Sequence, residues 1–251
     1  MKRFLILLIV AIVSLGIAQA PDLGGKVFKV GSDTTYPPFE FIDSDSEQIV
    51  GFDVDLANAV CAKINCLLEF TTTAWDGLFA ALDAGEFDMA ISGISITAER
   101  DETFDFSEAY FFVNPAMAVR SEDEALTVDD FKNNADLMVG AQTGTTNADV
   151  ITELFGRDRV RLYDTFSAAA QALVNGDIDG MCIDGPSADS FVQEYAGQLV
   201  VNIAKLGEGT PLGFMFRDGD ENADAFNAGL KMIQEDGTLD ELVAKWKIPS
   251  E

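Results

Sequence analysis

Short apolar runs alternate along this chain with segments of helical period, and that alternation limits its fold more than any other feature. "KVFKVG" (26–31), "FDMAISG" (87–93), "ADLMVGAQ" (135–142) and "IDGMCID" (178–184) read as buried strands. Between the first two, "GFDVDLANAVCAKIN" (51–65) puts Phe52, Leu56, Val60 and Ile64 at helical spacing. "DGLFAALDAG" (76–85) reads as a second helix, with Asp76 as its cap and Gly85 as its stop. Helices are expected over 167–177, 222–237 and 238–246, and "LGFMF" (212–216) as a further strand. Alternating β and α units imply parallel sheets with helices on both faces. A second α/β set is expected to begin near the acidic stretch "RSEDEALTVDDF" (120–131). "ALDAGEFDMAIS" (81–92) and "ALVNGDIDGMCI" (172–183) share Ala-Leu, a Gly three residues on and an Asp three further. The echo is either a coincidence of two helix-to-strand turns or the mark of two lobes built alike.

Composition removes whole classes of function. The 251 residues contain no histidine, which excludes Ser-His-Asp triads, Cys-His dyads and His-ligated metals. Sixteen basic residues against 43 acidic ones give a formal charge of −27, which repels nucleic acid and anionic membranes. The first twenty residues stand apart. Lys2 and Arg3 precede an apolar run from Phe4 to Ile17, and Ala18-Gln19-Ala20 supplies small residues before a cleavage site. This reads as a secretory leader cut after Ala20, and no Cys follows it to carry a lipid. The mature protein is expected outside the cytoplasm, in a periplasm. In such an oxidising compartment Cys61 and Cys66 could pair across a helix end, while Cys182, in "GMCID", reads as a buried small hydrophobe rather than a reactive thiol.

Ligands of open α/β sheets bind beyond the carboxyl ends of the strands. Here those ends carry Asp33, then Ser92 and Gly93, then Thr143 to Thr146, then Asp184. Arg100 falls in the first turn of a helix expected near Thr97. A guanidinium fork at a helix start suits a carboxylate ligand; a surface ion pair with Glu99 or Asp101 is the other reading. Asp184 could hold an ammonium group or cap the next helix, and Asp33 has the same two readings. "GTTNAD" (144–149) offers amides and hydroxyls to a small anion but lacks the lysine of a phosphate loop. Tyr36 and Trp75, read as turn residues, could stack on a ligand or pack into the core. No hydrolase signature or EF-hand loop is present among the many acid pairs, so neither a catalytic set nor a metal site is expected.

Taken in order, "GSDTTYPPFEF", "GFDVDLANAV", "WDGLFAAL", "FDMAISGISITAERDETFDFSEAYF", "GAQTGTTNAD", "ALVNGDIDG", "PLGFMF" and "EDGTLDELVAKW" carry a resemblance over 25–248. The chain resembles the polar amino-acid group of the bacterial extracellular solute-binding proteins, family 3, the receptors of ABC importers. The resemblance implies a two-lobed α/β periplasmic-binding-protein fold with two hinge strands and a ligand cleft between the lobes. Lobe 1 would take 25–110 and 213–251, and lobe 2 would take 115–208. Carried over residue by residue, Arg100 matches the arginine that grips the ligand α-carboxylate, with Thr145 and Thr146 adding donors. Asp184 matches the acid that holds the α-ammonium, with Ser92, Gly93 and Ser95 as its other partners. Tyr36 and Trp75 match aromatic walls, and Asp33 the position that meets the ligand side chain, with Gln142 beside it. The resemblance thus implies a free polar or basic amino acid as ligand (arginine, lysine or glutamine, arginine first), a membrane permease as partner, a monomer and no cofactor. Two alternatives stand beside it: a dehydratase-like enzyme of the same fold acting on a cyclic carboxylate, and a ligand-sensing receptor subunit.

Overall fold

The structure, a computed structural model, describes residues 21–248. The leader expected over 1–20 lies outside the described residues. In chain order the first unit contains β1 (Lys26–Ser32), β2 (Thr35–Tyr36), β3 (Glu40–Ile42), β4 (Ile49–Val50), α1 (Phe52–Ile64), β5 (Cys66–Thr72), α2 (Trp75–Asp83), β6 (Met89–Ala90), α3 (Ala98–Asp101) and β7 (Phe104–Phe106). A connecting strand β8 (Phe111–Val113) leads into the second unit. There follow β9 (Pro115–Arg120), α4 (Val128–Asn133), β10 (Val139–Gln142), α5 (Thr146–Phe155), β11 (Val160–Tyr163), α6 (Phe166–Asn175), β12 (Gly180–Asp184), α7 (Gly185–Glu194) and β13 (Leu199–Ile203). The chain returns through β14 (Thr210–Leu212) to β15 (Met215–Arg217), α8 (Asn222–Glu235) and α9 (Thr238–Trp246).

Two five-stranded sheets result, in the orders β5-β1-β6-β15-β7 and β11-β10-β12-β9-β13. They share one plan. In each, three parallel strands (β5, β1, β6 or β11, β10, β12) are continued by two strands joined antiparallel. The 91-residue echo falls in equivalent places, since α2–β6 and α6–β12 each deliver the middle strand of their sheet. β8 and β14 pair antiparallel as the double connection between the units. β12 is buried at all five residues, which is why it reads as an unbroken apolar run. Each α/β unit packs its sheet between helices around large side chains such as Phe28, Phe226 and Leu230 in the first and Phe131 and Ile151 in the second.

The structure corrects several expectations. Asp76 does not cap α2: the helix starts at Trp75, Ala74 holds the cap position, and no side chain closes it. Trp75 is therefore the first helical residue and Tyr36 a strand residue, rather than turn residues. The second sheet begins before the acidic stretch 120–131, because β9 precedes it. "LGFMF" is not one strand: Gly213 and Phe214 separate β14 from β15, so the run serves both the connector and the first sheet. The runs at 87–93 and 135–142 shorten to β6 and β10: Phe87 and Ile91 are buried outside β6, whereas residues 135–138 before β10 are exposed or half-buried. Cys61 and Cys66 form a disulfide that joins the end of α1 to the start of β5, and Cys182 is a buried free thiol.

Candidate functional site

Strand ends from both units meet at one cavity. It is lined by Asp33, Tyr36, Glu40, Trp75, Ser92, Gly93, Ser95, Arg100, Gln142, Thr145, Thr146, Asn147, Phe166 and Asp184. All eleven residues singled out from the sequence line it. Three more were missed. Asn147 directly follows the hydroxyl pair of the "GTTNAD" turn. Phe166 lies just past β11, a strand the sequence reading did not recognise, so the strand-end rule could not reach it. Glu40 sits in β3, within the quoted "YPPFEF", but nothing in its spacing separates it from the other acids.

The basic side of the cavity is built by a short helix. Thr97 caps α3 by accepting the amide of Arg100, which turns that side chain inward. The guanidinium donates to the Ser95 carbonyl at 2.9 Å and reaches the Gly144 carbonyl of the other unit at 3.4 Å. It lies over the rings of Phe79 and Trp75, at 5.1 and 5.5 Å from their centroids. It has no ion-pair partner among the described residues, so the surface-bridge reading does not hold. Burial lowers its pKa, against the attraction of Asp149, Glu99 and Asp184. An arginine remains charged under such shifts. Opposite it, Thr145 caps α5, accepting from the Ala148 amide and donating to the Gln142 carbonyl. The hydroxyl of Thr146 is left 3.4 Å from that of Ser95.

The acidic side comes from the ends of β1 and β12. Asp184 stands at the start of α7 without capping it. Its carboxylate instead takes the hydroxyl of Tyr36, across the cleft. Burial raises its pKa from the ordinary value, opposed by Tyr36, Asn147 and Arg100. Asp33 follows β1. It receives the Gln142 amide across the cleft at 2.8 Å and the Thr35 hydroxyl at 2.9 Å. Its pKa is also raised, first by burial, with the nearby Asp76 adding to the effect. Tyr36 is stacked on Phe39 at 5.3 Å and tilted toward Phe166 of the second unit at 5.5 Å. Trp75 donates its indole N–H to the Gly144 carbonyl at 3.2 Å. One unit thus offers a guanidinium and a carboxylate, and the other a carboxylate and a helix start.

Residues 28–249 match the profile of the bacterial extracellular solute-binding proteins, family 3. A probable histidine-binding protein of Neisseria gonorrhoeae is 32% identical, covering 91% of this chain and 86% of that one. The arginine-, lysine-, histidine-binding protein ArtJ of Geobacillus stearothermophilus superposes with a TM-score of 0.82 at 31% identity, over 90% of this chain and 96% of that one. An ancestral amino acid-binding protein, a precursor of cyclohexadienyl dehydratase, superposes with a TM-score of 0.79 at 35% identity, over 88% and 95%.

Proposed function

The chain belongs to the bacterial extracellular solute-binding proteins, family 3, and on that premise we propose that it binds a polar or basic L-amino acid, arginine first, in the cavity between its two units. Arg100, with the start of α5 and its hydroxyls, takes the α-carboxylate. Asp184 takes the α-ammonium, together with the turn at Ser92, Gly93 and Ser95. Tyr36 and Trp75 flank the ligand, and Asp33 with Gln142 meets its side chain. The observation that carries this reading is the charge of the lining: one guanidinium, Arg100, against the acids Asp33 and Asp184, with the third lining acid, Glu40, fully buried and engaged by the Ser92 hydroxyl. With a zwitterion in place, Arg100 and Asp184 are answered and Asp33 remains. A side-chain cation completes the balance. A ligand carboxylate would instead stand against Asp33 in a poorly screened site.

Lobe 1 (25–110 and 213–251) and lobe 2 (115–208) close over the ligand about the β8–β14 connection. The relatives support transport as the setting. The ArtJ protein of Geobacillus stearothermophilus is described as binding arginine, lysine and histidine. The protein then works as a monomeric receptor in the periplasm, released from its leader, and hands its ligand to an ABC permease. The test is a thermal-shift screen on chain that has been unfolded and refolded to strip carried ligand. Arginine at a thousand times its Kd adds about 4 kcal/mol, or about 8–16 °C for a chain of this size. A shift with a cyclic carboxylate and with no amino acid would overturn the reading in favour of an enzyme.

A further inference from the structure

Glu40, in the cavity lining, and Asp53, outside it, are two acids that the ligand reading does not use. Glu40 in β3 and Asp53 in the first turn of α1 are both fully buried. Gly51 makes their approach possible: at its positive φ of 142°, a Cβ would lie 2.0 Å from the Phe39 carbonyl oxygen. The start of α1 thereby docks on the turn between β2 and β3, with the Phe52 and Asp53 amides donating to the Pro38 and Phe39 carbonyls at 2.9 Å each. Each acid has one satisfied oxygen. Glu40 Oε1 accepts from the Ser92 hydroxyl at 2.9 Å. Asp53 Oδ2 accepts from the Gly93 amide at 2.9 Å and from the Tyr110 hydroxyl at 2.7 Å. Their other oxygens, Glu40 Oε2 and Asp53 Oδ1, are buried without a donor. The two carboxyls are neighbours, bonding the adjacent residues Ser92 and Gly93 of one turn, and each affects the other's titration.

One proton between them satisfies both orphaned oxygens, and two buried carboxylates side by side would not coexist. Its location follows from the surroundings. Asp53 has two donors and a helix start, which favour the anion. Glu40 has one donor and no helix. Asp33, Tyr36 and Tyr110 are the titratable groups facing the pair, and none is cationic. Resting on the amino-acid-binding reading above, we propose that Glu40 and Asp53 share a proton, held on Glu40, and act as a positioning pair that fixes the Ser92–Gly93 turn and Asp33 for the ligand. The bonds close a ring: Ser92 donates to Glu40, Glu40 to Asp53, and Gly93, the neighbour of Ser92, to Asp53. The Ser92 hydroxyl also accepts the Asp33 amide at 2.9 Å, so the same ring holds the side-chain acid of the site. Burial pushes the Glu40 pKa well above its ordinary value, with Asp53 adding to it.

The test begins with infrared spectroscopy of the unsubstituted chain at neutral pH. A carboxylic-acid C=O band is expected, and it should vanish in Glu40→Gln. Absence of the band, or its persistence in Glu40→Gln, overturns the proposal. Titration with L-arginine follows. Glu40→Ala, which leaves Asp53 unpaired, should weaken binding about tenfold or more. Glu40→Gln, which can accept from Ser92 and donate to Asp53, should recover most of that loss. The unsubstituted protein, but not Glu40→Gln, should lose further affinity at alkaline pH as the shared proton leaves; comparing the two cancels titration of arginine itself. A folded Glu40→Gln as weak as Glu40→Ala, or parallel pH profiles, overturns the pair's role. Should Glu40→Ala fail to fold, the infrared band and the Gln profile still decide. If the unsubstituted chain binds no amino acid, the functional reading fails, while the infrared result stands on its own.

Discussion

The two walls of the cavity hold buried charge in different ways. In the first unit the polar groups are partnered largely at home: Ser92 on Glu40, Gly93 and Tyr110 on Asp53, Arg100 on the Ser95 carbonyl. In the second unit they are completed from across the cleft. Gln142 spends one N–H on Asp33, and Asp184 takes the hydroxyl of Tyr36. The first wall is therefore organised within its own unit, and the second is finished by contact between the units. A ligand whose charges engage both walls stabilises the closed arrangement by its differential affinity for it. The contrast teaches where substitutions should act: on the second wall they strike closure and binding together, whereas on the first they strike mainly the contacts held within that unit.

The largest effect is expected at Asp184. Asp184→Ala removes the ammonium partner and strands the Tyr36 hydroxyl, and should weaken arginine binding about 100-fold or more, within the ~2–5 kcal/mol lost when a buried charge pair is truncated. Calorimetric titration giving less than about a tenfold loss would remove Asp184 from its role. Arg100→Lys comes next. It keeps the charge but loses the fork, the Ser95 bond and the stacking on Phe79 and Trp75, and should cost about 10- to 50-fold in the same titration. Affinity equal to the unsubstituted chain would show that only charge matters there. Asp33→Asn should cost arginine about tenfold and leave glutamine nearly unchanged. An equal loss for both ligands would mean that Asp33 does not meet the ligand side chain.

The smallest effect is a pair of opposed pH slopes. Asp53 is raised from 3.8 to about 6 by burial. A raised acid favours the ligand-free fold below its unfolded pKa, and that contribution is lost as pH rises through the folded one. The ligand-free Tm should therefore carry a component that declines between about pH 4 and pH 6, absent in Asp53→Asn. Arginine binding runs the other way. Asp33 and Asp184, both raised, must be ionised to take cations, so the arginine-induced shift should grow as pH rises from acid toward neutral. A shift that shrinks over that range would separate these acids from the ligand.

Much of the site was legible because strand ends are easy to find where strands are apolar runs. β1, β10 and β12 announce themselves, and with them Asp33, the Thr145–Thr146 turn and Asp184. β11 does not. In "VRLY", Arg161 is exposed and Leu162 only half-buried, as suits an edge strand, so Phe166 behind it was out of reach. β5, the edge of the other sheet, is masked in the same way by polar Glu69 and its threonines. Asp76 has the residue type of a cap, yet the helix starts one residue earlier with an unassisted end. The Glu40–Asp53 pair was invisible for a different reason. Two acids thirteen positions apart in a chain with 43 look like solvated charge, and only the docking of α1 on β3 makes them one buried group.

The central claim is that the cavity is built for a zwitterion carrying one further positive charge. It is tested most directly by calorimetric titration of refolded chain, stripped of carried ligand, with L-arginine, L-glutamine and L-glutamate in parallel at neutral pH. The account predicts arginine tightest, glutamine weaker and glutamate without measurable binding. Glutamate binding as tightly as arginine would contradict it.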